Sequence, residues 1–168
     1  MKTKTFFLTT LMFVFLLICS TGIHAQTATS NLDQLKLAQA FFVGTWQRNI
    51  GKDTVEVWEI QQYDSAFVSN VYLVINGKKS FSYANNYGFS SKEGKFNGFL
   101  LMPNGIYQTW IASFTTEKKL CADFVQNFNP EKVIRKTELV YDTPTNMTHT
   151  RFNLDGVKTR EVKFYKVK

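Results

Sequence analysis

The sequence predicts an all-β fold, a single antiparallel barrel of eight to ten strands preceded by one short helix. Three observations carry this. Short segments rich in Val, Thr and aromatic residues recur from residue 45 onward, turn pairs such as Asn76-Gly77 and Asp155-Gly156 separate them, and no second helical period interrupts the series. Connections of a few residues cannot carry parallel crossovers, so neighbouring strands must run antiparallel.

Taken in order, Asn31 followed by Gln34 has the form of a capping box and starts a helix over about 32–42. Leu32, Leu35, Ala38 and Phe42 make its apolar stripe, with Leu37 and Phe41 beside it. Gly44 stops the helix by taking a backbone conformation that other residues disfavour. Strands are then expected at 45–49, 55–63, 67–75, 80–89, 95–102, 106–114, 119–128, 133–141, 147–154 and 157–167. Gly51-Lys52-Asp53, Asp64-Ser65, Asn76-Gly77, Glu93-Gly94, Pro103-Asn104-Gly105, Asn129-Pro130, Pro144 and Asp155-Gly156 mark the turns. Several strands show one apolar face, as in Trp110, Ala112, Phe114 and in Leu120, Ala122, Phe124. An open sheet of this length would leave two unpaired edges. Closure into a barrel is therefore favoured over a two-sheet sandwich, and the strand at 45–49 should neighbour the one at 157–167.

The first 25 residues have the layout of a secretory signal. Lys2 and Lys4 precede an apolar run from Phe6 through Cys19, and a polar stretch ends at Ala25 before Gln26. The expectation is cleavage before Gln26, a flexible lead at 26–30, and a barrel domain at 31–168 that is exported and either periplasmic or secreted. No membrane span should remain after cleavage. A retained anchor and lipid attachment at Cys19 are the lesser alternatives, since Ile18 stands where a lipid-attachment site needs a small residue. Cleavage would lower the net charge from +7 to +5 and leave one cysteine and one histidine, Cys121 and His149. A lone cysteine cannot form an internal disulfide, so the fold must rest on its core, and Cys121 is expected to be buried. Lysines fall in scattered pairs, Lys78-Lys79 and Lys118-Lys119, beside turns. That pattern and the exported destination argue against nucleic acid and support only a mild attraction to anions.

Phe41-Phe42-Val43-Gly44-Thr45-Trp46 resembles the opening of the calycin superfamily: lipocalins, fatty-acid-binding proteins and their bacterial lipocalin-like relatives. The resemblance implies a calycin-like barrel in which a short helix leads into a Gly-x-Trp strand. It further implies that the tryptophan plugs the closed end under a basic residue of the last strand. Gly44 and Trp46 would take those structural positions, with Arg160 over the Trp46 ring and Lys163 as the alternative. The architectural resemblance covers about residues 32–167, and the motif covers six. Residues 50–54 leave no room for the two-helix lid of fatty-acid-binding proteins, and the disulfide and following helix of classical lipocalins are missing. Lys163-Phe164-Tyr165 is similar to the Arg-x-Tyr that grips a carboxylate in fatty-acid-binding proteins, with lysine replacing arginine. The loose bacterial lipocalin-like class is the nearest match.

Catalytic groups are sparse. His149, the single histidine left after signal cleavage, excludes a multi-histidine metal site, and neither a metal nor a cofactor is expected. Glu56 and Glu59 lie three apart on a strand, hence on opposite faces, and Asp123 should point outward. Met147, His149 and Arg151 share one strand face. Turned inward, His149 and Arg151 would meet an anionic ligand; the sequence reading favours the outward placement. Trp58, Tyr72, Tyr83, Tyr107 and Trp110 are the aromatic candidates for lining a cavity. Filled and hollow barrels alternate identically, so the same rings can instead fill the interior. The expected function is an exported lipocalin-like protein that binds a small apolar or amphipathic molecule. Arg151 or Arg160, with tyrosines, would hold the polar end. A filled barrel with an envelope protein partner, and a cavity enzyme of isomerase or cyclase type, are the alternatives.

Overall fold

The computed structural model describes residues 31–167; the expected signal and lead fall outside them. Among these residues one helix, α1 (Asn31–Phe42), precedes ten strands. These are β1 (Gly44–Gly51), β2 (Thr54–Tyr63), β3 (Ala66–Ile75), β4 (Lys78–Ser90), β5 (Lys95–Leu101), β6 (Tyr107–Thr116), β7 (Lys119–Gln126), β8 (Asn129–Thr143), β9 (Asn146–Phe152) and β10 (Lys158–Val167). Each strand pairs antiparallel with its sequence neighbours, and β10 returns to β1 through Thr45↔Val167, Trp46↔Lys166 and Gln47↔Tyr165. The meander is thus a closed barrel, which leaves no sheet edge exposed.

Local chemistry sets the turns. Asn76 and Gly77 both take positive φ, 50° and 77°, the combination that a two-residue hairpin between right-twisted strands requires. The expected break at Asn129-Pro130 is a tight turn two residues earlier. Asn127 and Phe128 carry the positive φ, and Pro130 falls where the β7–β8 register shifts between Val125↔Val133 and Gln126↔Asn129. A residue lacking an N–H is tolerated in such a bulge.

The end of the barrel that holds the β2–β3, β4–β5, β6–β7 and β8–β9 turns is plugged. Phe42, the last residue of α1, sets its ring 5.5–5.8 Å from Phe67, Tyr87, Phe96 and Phe114, while Phe41 stacks on Tyr141 at 4.6 Å. Trp46 is fully buried and donates its indole N–H to the Phe42 carbonyl at 3.1 Å, satisfying a helix-end acceptor. Gln34 docks the helix on the barrel. Its side-chain amide is buried against β6, where Nε2 donates to the Phe114 carbonyl at 2.9 Å and Oε1 accepts from the Phe114 N–H at 2.8 Å. A single amide thus imitates a neighbouring strand and docks the helix.

The cation over Trp46 is Lys166, with Nζ 5.1 Å from the ring, and not Arg160 or Lys163. Register decides this: Lys166 stands directly opposite Trp46, whereas Arg160 pairs with Arg151 at the far end of β10. Gly44, at φ 123°, leaves room for the Lys166 stem, whose Cε would lie 3.0 Å from an added Cβ. Cys121 is half-buried on the outer face, near Thr115 and Glu138, because Leu120 and Ala122 take the inward positions of β7. Asp123 is exposed, as expected. No helix among the described residues is long and apolar enough to cross a membrane.

Candidate ligand-binding cavity

Above the aromatic plug the barrel is hollow, enclosing a cavity of about 220 Å³. Its floor is apolar: Phe42, Trp46, Ile60, Leu120, Ala122, Tyr141 and Met147 face it from the plugged end. Toward the other end the lining turns polar, with Tyr83, Asn85, Gln108, Arg135, Thr137, His149 and Arg151. Half-exposed Met102, Gln108 and Arg151 lie beside the β5–β6 and β9–β10 turns, so this end is the mouth. Exposed Ile50, Ile75, Leu101, Ile106, Tyr107, Phe128, Leu154 and Val157 sit at or next to the five turns around it.

Five of the expected contact residues line the cavity: Trp58, Tyr83, Trp110, His149 and Arg151. His149 and Arg151 thus point inward, against the outward placement the sequence favoured. Tyr72 and Tyr107 do not line it. Tyr72 packs against Phe81 and lies 3.8 Å beneath the Lys79 ammonium, and Tyr107 is 52% exposed and hydrogen-bonds Asn127. On β3, Phe67, Ser69 and Val71 turn inward, so Tyr72 faces out; the bulge falls in β4, where the skipped Ser82 lets Phe81 pair with Tyr72 on the outer face.

The aromatic walls are oriented by hydrogen bonds. Trp110 donates to Asn85 Oδ1 at 2.9 Å, and its ring covers Gly98 so closely that a Cβ there would meet the indole at 1.9 Å. Trp58 donates to Glu56 Oε1 at 2.8 Å and packs on Phe164 at 4.3 Å. Glu56 is buried, and its Oε2 accepts from both Nε and Nη2 of Arg48, while Glu59 faces out and pairs with Lys79. This confirms that the two carboxylates lie on opposite faces.

Burial chiefly, and then the charges of Arg151, Arg160, Arg48 and Arg135, depress the His149 imidazole to a pKa of about 3. It is therefore neutral at any ordinary pH. Burial, followed by the Glu56 charge, pushes the Tyr83 phenol up, so it stays protonated. Burial and then the Arg151 charge lower Arg135 to about 10, and Arg151 is lowered by burial and then by Arg160. Both guanidiniums nonetheless remain cationic near neutral pH.

Arg48, Arg135 and Thr137 carry much of this chemistry, and sequence reading passed over all three. Arg135 and Thr137 sit in a stretch of mixed charge, Glu131 to Glu138, where alternation gives no apolar face to read. Among the described residues no cluster of His, Cys, Asp or Glu is arranged to hold a metal. Comparison with protein-family models, curated proteins and solved structures returns no match for this chain, so the closed ten-stranded barrel and its short helix are compatible with a calycin-like fold without assigning it to a family.

Proposed function

We propose that this chain is an exported, lipocalin-like barrel that holds one small apolar or amphipathic molecule in its interior. The observation that carries the reading is the cavity of about 220 Å³ between an apolar floor and a polar upper wall. An apolar cavity of about 150 Å³ already accepts benzene in another protein, so this volume is enough for a compact ligand. The apolar residues around the mouth support entry from that end, since an apolar molecule can partition there before moving inward.

Native mass spectrometry of the protein purified from its own host should reveal a bound molecule that solvent extraction releases. The neutral dye N-phenyl-1-naphthylamine should bind saturably at one site. Trp58→Ala should weaken the dye roughly tenfold through lost aromatic contact. Tyr107→Ala, outside the cavity, should change it by less than about twofold. No co-purifying molecule together with no saturable dye binding would overturn the reading.

A further inference from the structure

We propose that the cavity takes a compact amphipathic anion, its apolar body on the floor and its oxyanion head held between Arg135 and Arg151 with Thr137 donating to it. The inference rests on the interior-binding function above and specifies its ligand class.

The β8–β9 register builds the site. Thr137 stands directly opposite Arg151, and Arg135 lies two residues from Thr137 on the same inner face. Diagonal neighbours of this kind are about 7–8 Å apart at the backbone, within reach of two long side chains that converge on one group. Arg135 is held in place: Nη2 donates to Gln108 Oε1 at 3.2 Å, and the guanidinium stacks 3.8 Å over the Phe124 ring. Its Nε is buried and has no hydrogen-bond partner, and the same is true of Thr137 Oγ1. Buried polar groups are normally paired, and two orphans two residues apart on the inner face of β8 mark a place shaped for a polar group from outside the chain.

Charge fixes the sign of that group. Among the described residues neither Arg135 nor Arg151 is within ion-pairing distance of a carboxylate. Glu56, the acid whose field reaches Arg151, has both oxygens engaged by Arg48 and Trp58. Arg160, directly across from Arg151 on β10, adds a third cation at the rim. Like charges placed side by side repel, and an oxyanion relieves this while accepting from several N–H and O–H donors at once. Arg151 is the penultimate residue of β9, next to the mouth, so the head lies outward and the apolar body inward. Lys163 and Tyr165 are both exposed, so the Arg-x-Tyr-like segment plays no part in this site.

A matched probe pair tests this: 1-anilinonaphthalene-8-sulfonate and N-phenyl-1-naphthylamine share one ring system, and only the first carries an anionic head. The sulfonate should bind at one site roughly 10- to 100-fold more tightly, the range expected for charge-assisted hydrogen bonds. Arg135→Gln combined with Arg151→Gln should bring it down to the affinity of the neutral dye, with a cooperative unfolding transition by circular dichroism showing that the variant is folded. Thr137→Val, nearly isosteric, should weaken the sulfonate more than the neutral dye. Octanoate or octyl phosphate should displace the sulfonate, and octanol should not; which of the two acids is preferred distinguishes a carboxylate head from a phosphate. Equal affinities for both dyes, unaffected by the arginine and threonine substitutions, would overturn the anionic head while leaving interior binding intact. Failure of both dyes to bind would overturn the binding function itself.

Discussion

His149 shows how far a single side chain depends on its surroundings. With a pKa of about 3 in the folded chain against about 6.5 when unfolded, the unfolded state binds the extra proton first as pH falls. The contribution of His149 to stability is therefore complete above about pH 6.5 and is lost as pH falls toward 3. Chemical denaturation between pH 7 and pH 5 should show stability dropping by up to about 1.4 kcal/mol per pH unit, and His149→Gln should flatten that slope. An unchanged slope would place the imidazole in water. The chemistry at this position was only half legible in the sequence. Alternation put Met147, His149 and Arg151 on one face but left the direction of that face open, because both faces of β9 carry polar residues.

At the scale of elements, the helix is held by its contact with β6 as well as by its apolar stripe. Ala38 and Phe42 bury the stripe, and Gln34 joins it to the Phe114 backbone. Gln34→Leu would leave the Phe114 N–H and carbonyl buried without those partners. It should cost roughly 1–3 kcal/mol in chemical denaturation, whereas Gln39→Leu on the exposed side should cost little. If amide exchange at Phe114 is no faster in Gln34→Leu, the amide does not dock the helix. The helix and all ten strands were legible, with ends displaced by a few residues, because apolar period and turn chemistry are local. The role of Gln34 was not: a capping pattern and a tertiary hydrogen bond 80 residues away draw on the same amide.

For the whole molecule, closure is the decisive contact. β10 supplies the partner of both β1 and β9, the buried Phe164, and the Lys166 that covers Trp46. A chain ending at residue 157 would open two edges and uncover the plug. It should yield no cooperative unfolding transition by circular dichroism and should aggregate on size exclusion. A monomer with a sharp transition would show that nine strands suffice.

The sequence by itself determined the strand count to within two, the antiparallel order and the opposite faces of Glu56 and Glu59, because period and turn length act over a few residues. Closure and register between strands far apart in the chain decided the rest. The ring closing on β1 put Lys166, and not Arg160, over Trp46. The β8–β9 register set Arg135, Thr137 and Arg151 around one space. Whether that space is hollow depends on how rings from every strand meet across the barrel. Alternation fixes which side chains face inward, and only their packing volumes, summed around the closed ring, decide whether they meet.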